Sequence, residues 1–82
     1  MHTLGELTAG TRGTVTAIEN GERAYRAKLL SMGVTPGTEF EVLRVAPMGD
    51  PIEIRLRGYK LSVRRAEASI VRVQTASNES AA

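Results

Sequence analysis

The chain has 82 residues, no cysteine, one histidine and a formal net charge of +2 from eleven basic and nine acidic side chains. A chain of this length makes one domain that buries only about 60% of its unfolded surface, so its core is thin. Disulfides and thiolate metal sites are excluded, and the even charge balance does not by itself mark a nucleic-acid binder.

Met1 to Glu6 lacks the basic start and apolar run of a secretory signal. No stretch approaches the ~18 consecutive apolar residues that a bilayer span requires. A cytoplasmic protein without membrane insertion is expected. His2 is expected to lie in a frayed terminus, while Leu4 and Leu7, beside the turn-rich Thr8-Ala9-Gly10, read as anchors that dock on the core. Thr11 to Asn20 is rich in β-formers (Thr14, Val15, Thr16, Ile18) and ends on Asn20-Gly21, a tight-turn dipeptide. Glu22 to Met32 carries helix formers throughout, and Gly33 follows as a C-cap. At 3.6 residues per turn, Tyr25, Leu29 and Met32 fall in one narrow stripe, and Leu30, with Ala27 beside it, points roughly 100–160° away.

Val34-Thr35-Pro36-Gly37 predicts a turn, with Pro36 presetting its own φ and Gly37 supplying a positive one. In the strand predicted over Thr38 to Ala46, Phe40 and Val42 share one parity, and Leu43 and Val45 share the other. Such a switch predicts a bulge or strong bend, as small barrels need at their corners. Pro47-Met48-Gly49-Asp50-Pro51 is a loop. Ile52, Ile54 and Leu56 then alternate with Glu53, Arg55 and Arg57, the cleanest period-two run in the chain. Gly58-Tyr59 marks a hairpin connection, Leu61 and Val63 continue the alternation, Ala66 to Ala68 reads as a short turn, and Ile70, Val71 and Val73 make a last strand. From Thr75 the residues are small and polar, so a domain over residues 1–74 and a disordered tail over 75–82 are expected. Short strands with Gly/Pro turns and one apolar face close most economically on themselves. The predicted fold is all-β: a small SH3-like antiparallel barrel with one inserted short α-helix.

The single histidine, the absent cysteines, the unaccompanied serines and the lack of a phosphate-binding glycine loop argue against an enzyme. No cofactor is expected. Oxygen-only pairs such as Glu39 with Glu41, or Asp50 with Glu53, hold a hard divalent ion loosely at best, so no metal site is assigned. Arg55, Arg57, Lys60, Arg64 and Arg65 form a basic cluster without an acid between Ile54 and Ala66. It suits phosphates or an acidic protein surface, but Tyr59 is its only aromatic neighbour, too few for a stacking platform. The glycines at 33, 37, 49 and 58 sit where turns reverse the chain and read as backbone positions.

Three segments carry a family resemblance: Lys28-Leu29-Leu30-Ser31-Met32-Gly33-Val34-Thr35-Pro36-Gly37, Ala46-Pro47-Met48-Gly49-Asp50-Pro51-Ile52-Glu53-Ile54, and Arg57-Gly58-Tyr59-Lys60-Leu61-Ser62-Val63-Arg64. In this order and spacing they resemble the FeoA family, small cytosolic proteins of the bacterial ferrous-iron uptake system, from Leu4 to about Val73. The resemblance implies an SH3-like barrel and a partner, the cytosolic G-domain region of the FeoB membrane transporter. It implies recruitment to the inner face of the membrane through that transporter. The family motif often has Arg where this chain has Lys28, which keeps the charge and loses bidentate geometry.

Without catalytic groups, such a domain acts by binding. Apolar residues on opposed helix stripes cannot all face one small core, so Leu29, Leu30 and Met32 are the candidate partner anchors, with Arg55, Arg57 and Arg64 steering the encounter. Gly33, Pro36, Gly37, Gly49, Asp50, Pro51 and Gly58 form the turn motif that holds the scaffold. The alternative is an SH3-like regulatory module that responds to nucleic acid or metal. Exposed strand edges leave weak self-association open.

Overall fold

The alternation of Ile52, Ile54 and Leu56 with charged residues sets which way the central hairpin faces. In the computed structural model, which describes residues 2–21 and 23–75, those three side chains are buried while Arg55 and Arg57 are exposed. The strands are β1 (His2–Thr3), β2 (Arg12–Ile18), β3 (Glu39–Val45), β4 (Ile52–Leu56), β5 (Tyr59–Val63) and β6 (Val71–Thr75). They form one antiparallel six-stranded sheet in the order β1-β6-β2-β3-β4-β5. Helix α1 (Arg23–Ser31) is inserted between β2 and β3, and a one-turn helix α2 (Arg65–Ala68) separates β5 from β6. No helix among the described residues is long and apolar enough to cross a membrane.

Two bulges bend the long strands. In β3 the register with β4 shifts between Val42 and Arg44, so the parity change at Leu43 marks a bulge, as the sequence predicts. Phe40 and Val42 are buried before the shift, and Val45 packs against the core after it. A second shift lies in β2 between Val15 and Ala17 and has no counterpart in the sequence pattern. The bends let β2 pair with β6 along most of its length and still reach β3 at its start. The core is aliphatic around a single ring, Phe40, and draws Leu4, Val15, Val34, Val42, Ile52, Ile54, Val63, Val71 and Val73 from almost every element.

Three elements depart from the sequence reading. His2 does not fray: it pairs with Val73 as Thr3 pairs with Arg72, and the following 3-10 turn (Leu4–Glu6) plants Leu4 in the core. A two-residue strand shows no periodicity and is visible only once its partner is placed. Residues 65–68 are helical rather than a simple turn, and the β4–β5 hairpin turns on Arg57 and Gly58, because Tyr59 already pairs with Leu56. β6 extends to Thr75, one residue into the predicted tail; the rest of that tail (residues 76–82), like Glu22, lies outside the described residues.

Helix α1 ends as its sequence dictates. Gly33 has φ +91°, the Gly33 N–H donates to the Leu30 carbonyl (3.1 Å) and the Val34 N–H donates to the Leu29 carbonyl (2.9 Å). This is a Schellman closure, and both Leu29 and Val34 are fully buried at it. The chain then reverses through Thr35-Pro36-Gly37-Thr38, where Gly37 has φ +93° and the Thr38 N–H donates to the Thr35 carbonyl (3.0 Å). Gly33 carries a second constraint: a Cβ at this position would collide with the Tyr59 hydroxyl. Gly33→Ala is therefore expected to destabilise the domain by about 2–4 kcal/mol, from positive-φ strain plus the clash. Urea denaturation checks this, and in a Tyr59→Phe background the penalty shrinks by the steric part alone.

Candidate functional site

The polar framework is built around two carboxylates. The 46–51 loop closes with the Gly49 N–H donating to the Ala46 carbonyl (2.7 Å), which presents Asp50 to the start of α2. There Asp50 Oδ1 accepts the Arg65 N–H (3.1 Å), and the Arg64 guanidinium stands 3.2 Å from Oδ2. Glu67 Oε1 accepts the Arg64 N–H (3.0 Å), so the two acids satisfy donors that a helix start leaves without partners. The Glu67 side chain is 5% exposed, and Lys28 Nζ donates to its Oε2 at 2.8 Å, fastening α1 to α2. Burial alone would raise the Glu67 pKa. The Lys28 bond, the Arg64 N–H and the two nearby cations outweigh burial and hold it below the ordinary value. Lysine at position 28 thus makes the contact with one ammonium, without a fork.

A second tie joins α1 to the sheet: the Tyr59 hydroxyl donates to the Met32 carbonyl at 2.5 Å. Between the 33–38 turn and the hairpin tip lies an open groove of about 370 Å³, with Thr35, Pro36 and Thr38 on one side and Arg57 and Tyr59 on the other.

The predicted anchors separate. Leu29 is 0% exposed and belongs to the core, which corrects its assignment as a partner contact: its stripe is the one the sheet buries. Met32 is half-buried and packs against the core. Leu30 is half-buried on the opposite side and is not among the side chains packed on the core, leaving it on an outer face with exposed Arg23, Ala24, Arg26, Ala27 and Ser31. The basic cluster also divides. Arg64 is engaged by Asp50 beyond the end of β5, with Arg65 beside it. Arg55 and Lys60 stand directly opposite each other across β4 and β5, and Arg57 lies in the turn that joins them. The turn positions Gly33, Pro36, Gly37, Gly49, Asp50, Pro51 and Gly58 all lie in connections between elements.

Sequence reasoning missed Glu67, Lys28 and the Tyr59 hydroxyl as fasteners. A Glu three residues after Arg64 is a weak helix-start signal, and its partner Lys28 lies 39 residues away. Among the described residues no group of three or more His, Cys, Asp or Glu is placed to hold a metal ion. The arrangement offers surfaces: a helix face, a groove and a cationic sheet corner.

The family model described as the FeoA domain matches residues 2–75. The chain belongs to the FeoA family. A fusion protein of Fe(2+) transport protein A with the Fe(2+) transporter FeoB, from Porphyromonas gingivalis (strain ATCC BAA-308 / W83), is 32% identical over 75 residues, 92% of this chain. The chain spans only 9% of that relative. An FeoA-like protein from Clostridium acetobutylicum, solved by NMR, superimposes with a TM-score of 0.80 at 42% identity, covering 88% of this chain and 83% of that one. A zinc-complexed FeoA from Stenotrophomonas maltophilia, described as a prokaryotic SH3-domain protein, gives 0.78 at 25% identity, covering 90% and 91%. The SH3-like barrel of this FeoA-family chain agrees with the fold predicted from its strand pattern.

The depressed Glu67 pKa makes a signed prediction. The unfolded state takes up the proton first, so the stabilisation is complete above about pH 4.5, the ordinary value, and disappears as pH falls through the lower folded value. Glu67→Gln is expected to lose about 1–2 kcal/mol at neutral pH. That gap should narrow steadily on acidification below about pH 4.5 in chemical denaturation curves.

Proposed function

We propose that this FeoA-family domain is a non-enzymatic accessory of bacterial ferrous-iron uptake that acts by binding the cytosolic region of a FeoB-type transporter. The observation that carries the reading is the relative in which an FeoA segment and a FeoB transporter share one polypeptide. Fusion holds two modules at high effective concentration, an arrangement that suits modules working in contact. The domain then works in the cytoplasm, at the inner face of the membrane, and has no chemistry of its own to perform.

The contact surface is the outer face of α1. Helices with one buried stripe and an apolar residue left outside it are suited to docking, and Leu30 is that residue, with Arg23 and Arg26 around it. Small neighbours at Ala24, Ala27 and Ser31 allow a partner to approach the backbone closely. The cations at Arg55 and Arg57 raise the encounter rate rather than the final affinity.

Leu30→Asp is expected to weaken binding to the purified cytosolic region of the transporter at least tenfold while leaving the melting temperature within a few degrees of the parent. Isothermal titration calorimetry checks this. Unchanged affinity in a folded variant would remove the helix surface from the contact.

A further inference from the structure

Across the outer face of the sheet one row reads Arg12, Glu41, Arg55, Lys60, each directly opposite the next on β2, β3, β4 and β5. Glu41 has its nearest cation in Arg12, at 4.0 Å. Arg55 and Lys60 are left facing each other, with Arg57 two residues further along, and none of these three has an ion-pair partner among the described residues. Like charges directly opposite on neighbouring strands destabilise a sheet. Glu41, on the other side of Arg55, is shared with Arg12, and Lys60 on the edge strand β5 has only Arg55 opposite it.

The surroundings define what this corner can take. Its outward neighbours, Glu53 and Ser62, are polar, and the apolar side chains beneath, Phe40 and Leu56, are 5% and 4% exposed. A protein interface draws most of its energy from buried apolar or aromatic anchors, and the corner offers only the ring of Tyr59, already tied to the Met32 carbonyl by its hydroxyl. A nucleic-acid surface would use several stacking rings, yet the corner has one aromatic neighbour, Tyr59, which is 45% exposed and has its hydroxyl bound to the Met32 carbonyl. An exposed corner with three cations that make no ion pair among the described residues and a single tied ring suits a surface of diffuse negative charge.

We infer that Arg55, Arg57 and Lys60 form an electrostatic contact for the anionic headgroups of a membrane leaflet. The inference rests on the reading that the domain works beside a membrane transporter, and it adds a second, lipid contact that does not involve α1. Each basic residue held near an anionic surface raises partitioning about fivefold, so three give weak, salt-sensitive association that supplements a protein contact.

The test is cosedimentation of the full chain with vesicles of equal parts phosphatidylglycerol and phosphatidylethanolamine, against pure phosphatidylcholine. Binding to the anionic vesicles at low salt, release at about 0.5 M salt and no binding to phosphatidylcholine are expected. Lys60→Glu should lower binding about 25-fold, because two charge units change, and should raise the melting temperature by about 1–5 °C as a cross-strand ion pair replaces a repulsion. Arg65→Glu makes the same change in net charge at the start of α2, past the end of β5, and should keep binding within about threefold. No binding by the parent chain, equal losses in both variants, or a Lys60 dependence seen only with the transporter's soluble region would each overturn the inference. Because Leu30-dependent binding is measured without lipid, either result can fail while the other stands.

Discussion

Leu4, Val15, Val42, Ile52, Ile54, Val63, Val71 and Val73 are each 2% exposed or less, and together with Phe40 they make up most of what holds the domain together. Burying each large aliphatic side chain contributes about 1.5–3 kcal/mol, so a chain of this size depends on placing nearly every one of them inward. That constraint explains the bulges in β2 and β3. Without the register shifts, the inward rows of a sheet this short could not curve round a common centre, and Val45 would lose its place against the core. It also limits the helix. The core has room for Leu29 and for the flank of Met32, and the rest of α1 stays outside.

Since apolar burial secures so little of α1, polar contacts and turn geometry hold it. Lys28 reaches the buried Glu67, Tyr59 reaches the Met32 carbonyl, and the Gly33 closure brings Val34 down beside Leu29. Glu67 serves two elements at once, pairing with α1 and completing the first turn of α2, while Asp50 completes the same turn from the 46–51 loop. The segments that carry the family resemblance thus supply fasteners and turns. Their residues are constrained by φ angles and by donors that need partners, which is a structural account of why those types stand there.

What remains for function is what the scaffold leaves unused: an outer helix face with a half-buried Leu30, and a sheet corner whose three cations make no ion pair among the described residues. Each suits a different kind of contact. The helix face offers an apolar side chain among small residues. The sheet corner offers mainly charge, so its interactions are long-ranged and screened by salt.

The amino-acid sequence by itself determined the elements whose signal is local. Period-two alternation over residues 52–56 set the buried face of β4, the parity change at Leu43 marked the bulge, and Gly33 and Pro36-Gly37 marked the helix end and the turn. Each depends on neighbours within a few residues, where side-chain direction follows backbone period. Only the tertiary structure decided which helix stripe is buried, because Leu29 and Leu30 are equally apolar and the sheet selects between them. It also decided that His2–Thr3 is a strand, that Glu67 meets Lys28, and that Arg55 and Lys60 are opposed while Arg64 is drawn away to Asp50. Those outcomes join residues distant along the chain, and a pairing of that kind leaves no periodicity in either partner.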